Sequence, residues 1–144
     1  MAVDVVVERV IRRPVADVSA YAGDPGNAPE WYANIRSVEW ETGPPLRVGS
    51  RMAFVAHFLG KRLAYTYEVV ELAPGERLVM RTAQGPFPME TTYTWQPAEG
   101  GTLMTLRNTG EPSGFSRVAA PVMEAAMRRA TTKDLARLAS LLEH

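Results

Sequence analysis

The chain contains no cysteine, which excludes thiol nucleophiles, disulfides and any zinc site built on thiolates. Histidine is nearly as scarce, with two in all, and His144 at the extreme end reads as a possible tag remnant. His57 is therefore the one internal group with an unperturbed pKa near neutrality. No segment approaches the roughly twenty consecutive apolar residues of a membrane span. Acidic and basic residues balance at sixteen each, and no basic run is dense enough to neutralise a phosphate backbone, so nucleic acid is not an expected partner. The opening segment carries Asp4 and Glu8 inside a valine run, unlike a secretory leader, and a cytoplasmic location is the expectation. There is no G-x-S-x-G elbow, no H-E-x-x-H and no phosphate-binding glycine loop. Neither a metal nor another cofactor is called for.

What is present is a long stretch of strand patterning followed by one amphipathic helix. At 144 residues the chain fits a single domain able to bury roughly 70% of its unfolded surface. Val3 to Val10 alternates as a first strand. Pro14 to Tyr21 reads as a short helix stopped by Gly23, and Asp24-Pro25 as the cap and first position of a second, ending near Trp31 and Tyr32. Strands are then expected over 35–41, 51–58, 62–72, 77–82, 87–96 and 102–108, each bounded by glycine or proline. Short links make neighbouring strands antiparallel, and a polar loop over 110–114 leads to the last helix. There, Ala119, Met123, Met127, Ala130, Leu135, Leu138 and Leu142 recur at helical spacing, with Arg117, Glu124, Arg128, Lys133 and Arg137 mostly off that stripe. Pro121 falls inside this pattern, so the helix either kinks there or begins there. The expected class is α+β, a curved antiparallel sheet around a long C-terminal helix, with room for a cavity between them.

Particular residues carry a resemblance. They are Ile11-Arg12-Arg13-Pro14, Asp24-Pro25 with Trp31 downstream, Val48-Gly49-Ser50, and Tyr67 to Leu72 with Pro74 to Leu78. Gly101-Thr102 and Asp134 to Leu138 with Leu142-Glu143 complete the set. In this order they resemble the START-like helix-grip (SRPBCC, Bet v 1-type) superfamily, most closely its polyketide cyclase/dehydrase and lipid-transport branch. The resemblance implies seven strands curved around the C-terminal helix and a cavity that takes lipids, polyketides or other hydrophobic molecules. It implies no catalytic motif, because fold does not fix function.

Alternation then selects the side chains that face the helix. Phe54 and Phe58 share one face of their strand with Met52, and Tyr65 and Tyr67 lie together on the next. Phe87, Met89 and Tyr93 align on another, Met104 on the last, and Met123 and Met127 answer from the helix. Together with Trp31, read either as lying near the opening or as a plain staple between helix and sheet, these are the candidate ligand-binding residues. Adaptable methionines beside aromatics suit a pocket for varied apolar shapes. Tyr67 and Tyr93 are the first catalytic candidates, because a buried phenol needs a partner and can offer its hydroxyl to a ligand. Arg81 and Arg107 would supply a charge for a carboxylate or enolate oxygen if they pointed inward. The parity of His57 turns it toward solvent. Glu68 and Glu90 fall on the faces opposite Tyr67 and Tyr93, which argues against a carboxylate pair working across the cavity.

Three functions are open on these grounds. The first is a carrier or sensor of a hydrophobic or amphipathic small molecule. The second is a cyclase, aromatase or dehydratase that folds a poly-β-ketone chain in the same cavity, and the third is a co-chaperone-like protein-interaction module. The oligomeric state is not fixed by any of these features.

Overall fold

The computed structural model describes residues 2–112, 115 and 118–143. Arg117, His144 and part of the expected 110–114 loop lie outside the described residues. Seven strands, β1 (Val3–Ile11), β2 (Ile35–Trp40), β3 (Arg51–Phe58), β4 (Lys61–Ala73), β5 (Arg77–Gln84), β6 (Met89–Ala98) and β7 (Gly101–Gly110), form one antiparallel sheet ordered β1-β7-β6-β5-β4-β3-β2. Strands β2 to β7 run as a meander, each paired with the next, and β1 joins the far side of β7. The helices are α1 (Val15–Ala22), α2 (Ala28–Trp31) and α3 (Ala120–Leu142). This is the expected curled sheet with a long C-terminal helix and short helices between β1 and β2.

Local chemistry accounts for the corners. Pro14 is the N-cap residue of α1, and Asp24 caps a one-turn 3₁₀ segment by accepting the Gly26 N–H at 2.9 Å, with Pro25 as its first residue. The long helix begins at Ala120, with Pro121 in its first turn and Met123 N–H bonding back to Ala119. Pro121 therefore starts the helix and does not kink it, because a missing N–H costs nothing where the first turn has no intrahelical acceptor anyway.

The free edge of β1 is covered by α3. Glu124 accepts the Asp4 N–H at 3.0 Å, Arg128 donates to the Val6 carbonyl at 2.8 Å, and Glu143 accepts the Arg12 N–H at 2.8 Å. Arg13 donates to the Leu142 carbonyl at 2.6 Å, placing a cation at the helix C-terminus. Polar side chains of α3 thus occupy an edge that would otherwise recruit another strand, while its buried residues face the sheet.

The interior divides in two. The larger cluster gathers Ile11, Trp31, Met52, Phe54, Met104, Leu135 and Leu138 with their neighbours beneath α1 and α2. The smaller comprises Val3, Leu63, Phe87, Phe115 and Met123 toward the start of α3.

Candidate functional site

A cavity of about 160 Å³ lies where these two clusters meet. Leu63, Phe87, Phe115 and Met123 form its apolar wall with Phe58, Met89 and Met127. Its wall also carries the polar groups of Tyr32, Asn34, Tyr67, Asn108, Thr131 and Asp134. Phe58, Asn34, Ala130 and Asp134 also line an open groove on the outer side of α3, so these residues form the throat between cavity and surface.

Of the side chains expected to bind a ligand, Phe58, Tyr67, Phe87, Met89, Met123 and Met127 reach the cavity wall. Trp31, Phe54, Tyr65, Tyr93 and Met104 do not line it. Their strand or helix faces are those expected, but they pack against one another in the larger cluster. Tyr65 stacks on Phe54 with ring centroids 5.4 Å apart, and Trp31 lies 4.1 Å from Tyr32. Parity identifies the face of a residue and not its depth along the curved sheet, and depth decides which ring meets the void.

Three tyrosine hydroxyls, those of Tyr67, Tyr32 and Tyr93, are held in two bonded groups. Thr91 donates to Asn108 Oδ1 at 2.7 Å, so the 2.8 Å bond between Tyr67 and Thr91 runs from the phenol to Thr91. Tyr67 thereby keeps oxygen lone pairs for the cavity, and burial pushes its pKa up to about 12. The hydroxyls of Tyr93 and Tyr32 lie 2.6 Å apart. Burial also raises both of these phenols, Tyr32 well above its ordinary value.

The charged candidates point away. Arg107 forms a two-point pair with Asp4 of β1 (2.9 and 2.6 Å) on the outer face of the sheet, and that bond lowers the Asp4 pKa. Arg81 pairs with Glu90 at 3.1 Å on the same outer face, and both arginines are exposed. Neither puts a positive charge into the cavity, because each sits at an outward position of its strand beside a cross-strand carboxylate. His57 is exposed as its parity predicts, and its backbone N–H holds the Asn34 carbonyl at 2.8 Å. Arg107→Ala is accordingly expected to leave ligand binding unchanged in a calorimetric titration, and a loss of binding would contradict this outward placement.

The buried ionisable group at the cavity that pattern reading misses is Asp134. It is 3% exposed, and its Oδ1 accepts the Ala33 N–H at 3.0 Å. Burial raises its pKa from the ordinary 3.8 to about 6, against the lowering effect of that hydrogen bond. The folded chain holds this proton more tightly than the unfolded chain does. Asp134 therefore weakens stability progressively as pH rises from about 4 through about 6, and the whole cost is present above that. The available signal is its spacing: Asp134 lies four residues after Ala130 and four before Leu138, on the buried stripe. Tyr32 and Asn34 carry no comparable signal, since they follow α2 in an irregular linker. Among the described residues, no group of acidic or histidine side chains could hold a metal ion, and no helix is long and apolar enough to cross a membrane.

An antiparallel sheet gripping one long helix around a small cavity defines a START-like, helix-grip domain. The sequence pattern of the polyketide cyclase/dehydrase and lipid transport family matches residues 2–143, and the chain belongs to that family. Among solved structures it is similar to the Zhui aromatase/cyclase from Streptomyces sp. R1128 (14% identity, 99% of this chain and 94% of that one, TM-score 0.78). It is also similar to TTHA0849 from Thermus thermophilus (21% identity, 96% and 99% covered, TM-score 0.75). A third is the major latex-like protein 151 from Panax ginseng (14% identity, 96% of each chain, TM-score 0.75). At these identities the likeness is one of fold. No curated protein sequence matches the chain.

Proposed function

We propose that this protein is a carrier or sensor that binds one small hydrophobic or amphipathic molecule in the cavity between sheet and α3. The observation that supports this most directly is the cavity itself, whose wall is divided between apolar side chains and hydrogen-bonding groups. That division suits a ligand with an apolar body and one polar group. Its size argues for a single ring or a short chain, since an apolar protein cavity of roughly 150 Å³ takes up benzene. Burying roughly 200 Å² of such a ligand supplies about 5 kcal/mol before association costs, which sets binding in the millimolar range unless polar contacts add to it.

The enzymatic reading, in which the cavity folds a poly-β-ketone chain, draws support from the family and from the polar residues of the cavity wall. It ranks second because a chain of that length needs the throat to open well beyond 160 Å³. With Arg81 and Arg107 turned outward, Tyr67, Tyr32 and Asp134 would have to do the polarising.

The carrier reading is tested by titrating benzyl alcohol into isotopically labelled protein. Chemical-shift changes are expected to centre on Leu63, Phe87, Met123 and Met127. Ala130→Leu puts a branched side chain into the throat while keeping a good helix former. It is expected to weaken benzyl alcohol binding about tenfold, equivalent to about 1.4 kcal/mol, without unfolding the protein. Shift changes confined to the outer surface, or undiminished binding to a folded Ala130→Leu variant, would sink the proposal.

A further inference from the structure

Among the described residues, one carboxylate stands at the cavity wall without a cation. Asp134 is buried in the middle of α3, one of its oxygens is occupied by the Ala33 N–H, and none of the ion pairs among the described residues includes it. A buried charge left in this state is costly unless something answers it. The surrounding wall is rich in rings, with Tyr32, Phe58, Tyr67, Phe87 and Phe115 all reaching the same cavity. Aromatic faces carry the negative lobe of a quadrupole and attract cations. A buried carboxylate without a cation, sharing its cavity with several aromatic rings, favours an ammonium group and disfavours an anion.

We propose that the part of this cavity beside Asp134 is a subsite for a protonated amine, with Asp134 as its counter-ion and a single ring or short apolar chain in the space beyond. The proposal rests on the reading of the cavity as a ligand site and adds the chemical class of the ligand. Arg129 and Lys133 line the outer groove of α3, on the other side of the throat, and both are exposed. Water and salt screen them over roughly 8–10 Å, whereas the interaction of Asp134 with a bound ammonium runs through the interior. The buried charge therefore decides the preference.

The same arrangement fixes the pH dependence. Tyr32 from the linker after α2 and Tyr93 from β6 are the titratable groups that feel the charge of Asp134, and both phenols are raised and remain neutral through the acid and neutral range. Among the described cavity-lining residues, Asp134 is then the group that titrates between pH 5 and 8. Its ionised form is the one that binds an ammonium, so affinity falls as pH drops through about 6.

Calorimetric titration of the intact chain with benzylamine, benzyl alcohol and benzoate at pH 7.5 tests this. Benzylamine is expected to bind about tenfold tighter than the alcohol, with benzoate weakest. The advantage of the amine should shrink to about twofold at pH 5. Asp134→Asn keeps an oxygen for the Ala33 N–H, and is expected to bring amine and alcohol within about threefold of each other. A readout that needs no variant is the carbon-13 titration of the Asp134 carboxyl, whose midpoint should drop by about one unit when benzylamine saturates the site. Equal affinity for amine and alcohol, or a midpoint that does not move, overturns the subsite and leaves the cavity reading standing. If neither benzylamine nor benzyl alcohol binds, the cavity reading falls and the subsite falls with it.

Discussion

Trp31→Ala is expected to cost about 3–5 kcal/mol of folding stability in urea denaturation. The indole is fully buried where α2 meets the sheet, and its removal leaves a void bounded by Tyr32 and Tyr93. Such a void collapses poorly on the sheet side, because Tyr93 belongs to a strand that is hydrogen-bonded on both sides. Trp31 Nε1 is buried and has no hydrogen-bond partner among the described residues. Trp31→Phe removes that orphaned donor while keeping a ring, so its cost is expected to stay near 1 kcal/mol or below. The contrast between the two variants separates packing from polarity. The alanine variant should also bind single-ring ligands more weakly, since Trp31 supports Tyr32 at the cavity wall. A cost below about 1 kcal/mol for Trp31→Ala would mean that the corner of α2 is not part of the cooperative core.

A comparable loss, about 3 kcal/mol or more, is expected for Gly101→Ala. A Cβ at that position would stand 2.1 Å from the Ile11 carbonyl oxygen and 2.9 Å from Arg12 Cα. Both obstacles are backbone, so no side chain can rotate away to relieve the clash. The neighbouring Thr102 donates its hydroxyl to the Arg13 carbonyl at 2.7 Å, which holds the end of β1 against the start of β7. Forcing the strands apart would therefore also break that bond. Gly100 is the control. It adopts φ +82°, and a Cβ there would meet no atom within 4 Å. Gly100→Ala thus bears only the cost of left-handed backbone, about 1–2 kcal/mol. If the two variants melt together, the close approach at Gly101 is not a constraint on the fold.

These two residues also mark how far pattern reading reaches. Gly101-Thr102 is part of the resemblance to the helix-grip superfamily, but nothing in the linear order indicates that Gly101 is needed because a β1 carbonyl crosses where its side chain would be. For Trp31 the sequence leaves open a cavity opening or a plain staple; the indole is fully buried in the larger cluster and does not line the cavity. Asp134 falls within the terminal segment of the resemblance yet does not stand out as a site residue, since a charge on an amphipathic helix is ordinarily solvated. Arg81 and Arg107 are candidates for an inward charge by residue type alone. Each is instead held outside by a carboxylate on the adjacent strand, a partner that becomes visible only when the register of β5 with β6 and of β7 with β1 is known.

Strand periodicity, glycine and proline punctuation and the terminal amphipathic stripe are sufficient for the number of strands, their antiparallel neighbours, the two short helices and the outward facing of His57. Those features depend on interactions within a few residues, or on which side of a strand or helix must leave water, and both are written locally along the chain. The position of the void, the five expected residues that pack beside it, and the burial of Asp134 depend on how far each strand curls around α3. Curvature is the sum of every packing contact in the sheet, so no single segment encodes it. The assembled fold alone brings a carboxylate from α3, a backbone N–H from the linker after α2 and rings from β3, β4 and the link before β6 to one cavity.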